Sequence, residues 1–76
     1  MAIDERKLKE WIEQERKRIG REIESCLREL RAYIEEDTDD YAQKVYAQQV
    51  CRIIIELLEQ LYYLDRIEYE FLDREK

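Results

Sequence analysis

Residues 35–40 read EEDTDD, and this run decides whether the chain is one long helix or two. Acids at a helix C-terminus oppose the macrodipole, whereas Asp and Thr are good residues for starting a helix. Asp37 or Thr38 is therefore read as the N-cap of a second helix, with Asp39 and Asp40 in its first turn. The competing reading is an unbroken rod of about 110 Å at about 1.5 Å per residue, since no Gly or Pro forces a break here. The capping preferences favour a tight turn at about 36–39, between a first helix at about 4–36 and a second at about 39–75.

Upstream of the turn, the apolar residues are Leu8, Ile12, Ile19, Ile23, Cys26, Leu27, Leu30 and Ile34. Their gaps of mostly three, four and seven are helical, and at about 100° per residue they read as one narrow stripe, with Trp11 and Tyr33 at its edges. Glu5–Lys9, Glu13–Lys17 and Glu24–Arg28 sit four apart with the acid first, the better orientation for an exposed helical pair. Gly20 is the only glycine. Inside a helix it costs about 1 kcal/mol relative to Ala. It is read as a place where a large facing side chain, Leu58 or Tyr62, comes close, with a tolerated defect or slight kink as the alternative.

Downstream, the second helix carries two apolar seams with gaps alternating between three and four. One runs Ala47, Val50, Ile54, Leu57, Leu61, Leu64, Glu68, Phe71, and the other Cys51, Ile55, Leu58, Tyr62, Asp65, Tyr69. Each is the kind of seam that packs helix on helix. Folding about the turn sets Cys26 level with Cys51, Ile23 with Ile54, Ile19 with Leu58 and Leu30 with Ala47. The expected core of the hairpin is Ile12, Ile19, Ile23, Leu30, Ile54, Leu57, Leu61 and Leu64. Cys26 and Cys51 are read as small buried hydrophobes, with a disulfide across the helices as the alternative.

One narrow stripe on the first helix covers one seam on the second. The other seam, Cys51 to Tyr69, is left for another chain, and the simplest such chain is a copy of itself. The expected fold is therefore all-α: two long antiparallel helices in one domain spanning 1–76, dimerising into a four-helix bundle. Arg16 interrupts the first helix's stripe near the height of Leu61, within a turn of Asp65 and Glu68. A partly buried ion pair between Arg16 and either acid would fix the register, and the alternative is that Arg16 snorkels out at the edge.

Bulk properties narrow the function. A chain of 76 residues makes a single small domain, and the isolated core of such a domain is marginal. The net charge is −6, distributed as +2 over residues 1–21, −6 over 22–40 and −2 over 41–76. That balance disfavours nucleic-acid binding. The basic run Arg16-Lys17-Arg18 with Arg21 points around the helix among acids and is read as a solvated face. The sequence has no His, which excludes His-based metal or acid–base chemistry, and two Cys make a poor zinc site. Glu56 with Glu59, and Asp65 with Glu68, stand three apart, but a carboxylate-bridged di-iron site would also use His. No cofactor and no catalysis are expected. No apolar run is long enough for a membrane span, and the N-terminal residues MAIDERKLKE carry no apolar signal-peptide core. An intracellular, cytoplasmic location is therefore expected.

The function these features point to is protein–protein interaction by a small, acidic, self-associating adaptor or accessory subunit, a homodimer. An accessory subunit that docks a larger enzyme, such as a nucleic-acid-processing one, through the second seam is the alternative. An acidic decoy imitating nucleic acid, on the strength of Glu35 to Asp40, is another. Tyr63 and Ile67, off both seams on the flank that also carries Val45, are read as ordinary scattered surface exposure, with a docking site for a different protein as the alternative.

Overall fold

A computed structural model describes residues 4–36 and 40–73. Helix α1 spans Glu5–Glu36, helix α2 spans Tyr41–Glu68, and a π-helical turn, Tyr69–Asp73, continues α2. The helices pack against each other along an elongated body of 55 × 21 × 15 Å. Its radius of gyration is 17.2 Å, against about 11 Å for a compact domain of this length. The all-α helical hairpin read from the sequence is therefore the observed architecture.

Each helix begins on an aspartate. Asp4 Oδ1 accepts from the backbone N–H of Arg6 at 3.1 Å and of Lys7 at 3.3 Å. Both are donors that the first helical turn leaves unpaired. At α2 the cap is Asp40, with extended φ/ψ of −62° and 118° and its Oδ1 accepting from Ala42 N–H at 2.9 Å. This corrects the sequence expectation, which puts Asp40 inside the first turn. The helix starts one residue after Asp40, and from there the carboxylate reaches the second N–H of α2. Asp37 and Thr38, the residues read as caps, lie outside the described residues, as does most of the expected turn.

The core is a single layer. Ile12, Ile19, Leu57 and Leu64 form one buried cluster, and Val50 is buried further toward the turn. Leu8, Ile23, Cys26 and Leu61 pack against the cluster but stay half-buried. Leu30 and Ile54 are likewise half-buried. Two helices cover each other on one side only, so a stripe wider than the line of contact keeps its margins in water. Toward the turn, the rings of Tyr33 and Tyr46 meet edge to face with centroids 5.5 Å apart, a favoured arrangement of aromatic pairs.

The far end of α2 departs from the expected straight helix to residue 75. At Glu68 the α-helix gives way to the π turn, whose wider winding shifts the side-chain phase. The next core position consequently moves on by one residue. Leu72 packs against the core cluster, and Phe71, expected to continue the first seam, is about half exposed.

Candidate docking surface

The second seam of α2 faces water along its length. Ile55, Leu58, Tyr62 and Tyr69 each expose between 51% and 68% of their surface, and Cys51 and Asp65 are exposed with them. Within each helical turn, these positions sit to one side of the line Val50–Leu57–Leu64 that α1 covers.

Asp65 is tied to α1 at the seam's margin. Arg16 Nη2 donates to Asp65 Oδ1 at 2.6 Å, Nη1 donates to Glu68 Oε2 at 3.0 Å, and Nη2 also reaches Glu68 Oε1 at 3.3 Å. The guanidinium thus forks across Glu68 and holds Asp65 on its outer edge, the planar geometry that Arg and not Lys supplies. The hydrogen bonds to Glu68 and then to Asp65 raise the Arg16 pKa above its ordinary value, against an opposing push from desolvation. Both bonds favour the charged form of the side chain. The side chains of Arg16 and Glu68 are about one-third exposed and that of Asp65 about two-thirds. The cluster therefore sits at the boundary of the core and not inside it.

Helix α1 brings its own apolar side chains to the same face. Leu27 is 50% exposed and Ile34 71% exposed, which corrects the reading of α1 as one stripe absorbed by the hairpin. At about 100° per residue Leu27 stands about 80° around from Ile19, outside the arc that α2 reaches. Gly20, Leu27 and Ile34 fall on the side of α1 that Arg16 occupies. The contact from Arg16 to Asp65 places that side next to the second seam of α2. A Cβ added at Gly20 would meet nothing within 4 Å, so no side chain of the hairpin comes close to it, Leu58 and Tyr62 included. Leu27 and Ile34 are absent from the docking residues read in the sequence, although their angular offset is available there.

The two cysteines are free thiols, and the cross-helix disulfide is not formed. Cys26 packs against the core cluster. Cys51 follows buried Val50 by about 100° of helical rotation and is exposed on the second seam. Equal height along the hairpin therefore does not bring the sulfurs face to face. Cys51 is thus not the small buried hydrophobe the sequence suggests.

On the opposite face, Trp11, Tyr63 and Ile67 line an open groove of about 280 Å³. Ile53 is about half exposed, and it belongs to the same side of α2 by helical phase. In the basic run, Arg16 is held by Asp65 and Glu68. Arg18 bonds Glu15 at 2.7 Å and Glu22 at 2.9 Å, so two of the run's four cations are engaged within the chain. Among the described residues no group of three or more His, Cys, Asp or Glu is placed to hold a metal ion. No described helix is long and apolar enough to cross a membrane. Compared with known proteins, the chain matches no family model, no curated protein and no solved structure.

Proposed function

We propose that this chain is a protein–protein interaction module, a small acidic adaptor or accessory subunit that self-associates and performs no catalysis of its own. The observation that carries this reading is the second seam of α2, from Cys51 to Tyr69, at the helical spacing of a packing surface yet exposed at every position. Monomeric proteins rarely leave a contiguous apolar patch of more than roughly a few hundred Å² in water, and such patches mark interaction sites. Burying one Leu or Ile contributes about 1.5–3 kcal/mol, so the seam offers association energy comparable with the stability of a lone two-helix hairpin. Two hairpins paired through their second helices form a four-helix bundle with the seam at its centre.

A second reading is supported by the groove at Trp11, Tyr63 and Ile67 on the other face. There the chain acts as an accessory subunit, and a larger protein occupies that side, where aromatic residues with one wet end are the usual contacts. The experiment that tests the main reading is light scattering across a dilution series, with and without reductant. A particle of about twice the chain mass that persists in reductant supports self-association through the seam. A monomer at every concentration overturns it and turns the search toward a different partner.

A further inference from the structure

We infer that the broad face carrying Gly20, Leu27 and Ile34 of α1 beside Ile55, Leu58 and Tyr62 of α2 receives a second copy of this chain, and that Gly20 marks the closest approach between the copies. This rests on the self-association reading above. It extends that reading by making α1 half of the surface and by assigning a purpose to the only glycine.

Spacing comes first. On α1, Arg16, Gly20, Ile23, Leu27, Leu30 and Ile34 follow one another by four, three, four, three and four residues. Cys51, Ile55, Leu58, Tyr62, Asp65 and Tyr69 on α2 follow the same sequence of gaps. These are two heptad seams on one face that run past each other in opposite directions, overlap where Gly20 and Ile23 pass Cys51, Ile55 and Leu58, and are joined at their edge by the bond from Arg16 to Asp65. A hairpin that presents two such seams on one face has the surface that another hairpin covers in a four-helix bundle.

Gly20 is the one position of these seams without a side chain. Glycine is disfavoured inside a helix relative to alanine. Among the described residues nothing requires it, because the space a Cβ would occupy is empty. The position lies on the apolar face, in line with Leu27 and Ile34 at intervals of seven. A glycine in such a seam lets a neighbouring helix come closer than any side chain would permit. Ile19 and Leu57 share the buried cluster, and in the antiparallel pair the next residues, Gly20 and Leu58, step in opposite directions from that level, about 3 Å apart at about 1.5 Å per residue, so a hollow lies close to the height of a protruding side chain. A two-fold axis near this level sets each hollow against side chains of the other copy, the self-complementarity that an isologous dimer needs.

Area points to the same occupant. The chain exposes 6707 Å², where a compact monomer of its mass exposes about 5,000 Å². Leu27, Ile34, Ile55, Leu58, Tyr62 and Tyr69 are all at least half exposed. Together they present on the order of 700 Å², close to the ~800 Å² per partner of a standard stable interface.

The test compares the wild type with Gly20→Ala and Leu58→Glu by sedimentation equilibrium, with thermal unfolding followed at the lowest measurable concentration. Alanine is a better helix former and meets no clash within the hairpin, so Gly20→Ala folds and, where the protein is monomeric, melts no lower than the wild type. The inference expects the same variant to raise the dimer dissociation constant by about tenfold or more, the order that overpacking a close contact produces. Leu58→Glu should give a folded monomer. A wild type that stays monomeric overturns both this inference and the reading beneath it. A dimer that Leu58→Glu dissociates but Gly20→Ala leaves intact or tightens overturns the close approach alone, and self-association through the seam stands.

Discussion

Arg16 occupies a position where the apolar stripe of α1 lapses, and the fork it makes across Glu68 and Asp65 gives that lapse a structural role. A lysine keeps the charge but cannot span two carboxylates in one plane. Arg16→Lys should therefore lower stability by about 0.5–1 kcal/mol, the range of a solvent-touched ion pair, read by urea unfolding. Arg16→Glu, which adds a third acid to the pair, should lose more, and an unchanged urea midpoint for both variants would show that the fork contributes nothing. Tyr33 supplies a pH dependence. Desolvation, then the nearby Tyr46, Glu29 and Glu36, raises its pKa above the ordinary value of 10.0. The folded state holds that proton more tightly than the unfolded one, so the contribution is fully present below about pH 10 and is lost as the pH climbs through the raised value. Tyr33→Phe should flatten the decline in melting temperature in that alkaline range, and the two proteins should differ little below it. Gln43, on the inner side of α2, buries its side-chain oxygen without a hydrogen-bond donor among the described residues. Gln43→Leu removes that unsatisfied group and should raise stability by about 1 kcal/mol, read as a shift in the urea midpoint.

The elements show which parts of the fold can be read from residue spacing and which cannot. Two helices and the face that joins them follow from the gaps between Ile12, Ile19, Leu57 and Leu64, because the helical period maps directly onto a buried line. The sequence reading places the cap of α2 too early, since a run of consecutive cap-competent residues contains several equivalent starts. The choice among them depends on where the chain enters the helix, which is a tertiary matter. Asp40→Ala should cost about 1 kcal/mol, the usual consequence of losing an N-cap, and should leave α1 unaffected by hydrogen exchange. The π turn is not legible at all. Nothing in YEFLD distinguishes it from one more α turn, and its effect is to exchange the roles of Phe71 and Leu72. Leu72→Ala should accordingly destabilise by about 1–3 kcal/mol, and Phe71→Ala by clearly less. Equal losses would mean that the α-helical phase continues past Glu68. Of the candidate docking surface, the α2 half is readable as a surplus seam. The α1 half is hidden because small gaps make the stripe look narrow, although by helical phase it extends about 80° from Ile19 to Leu27.

At the scale of the whole molecule, an elongated two-helix body keeps the broad face along the second seam of α2 exposed, and Cys51 is a reporter set within it. Self-association through that face predicts that alkylation of Cys51 slows as protein concentration rises, while Leu58→Glu keeps the fast rate throughout. A rate independent of concentration in the wild type would place the contact elsewhere. The antiparallel layout has a kinetic consequence as well. Tyr33 and Tyr46 meet near the turn and close only a short loop, whereas Arg16 and Glu68 are separated by 52 positions. Closing a loop about four times longer costs about 1.2 kcal/mol more in chain entropy. The buried cluster, however, lies toward the longer loops, with Ile12 near Leu64, and not at the turn. Among the described residues Val50 alone is fully buried toward the turn, so a zipper started there gains most of its burial only when it reaches Ile19 and Leu57. Folding should be limited by that distant encounter, so Ile19→Val should slow refolding while Tyr46→Ala mainly speeds unfolding.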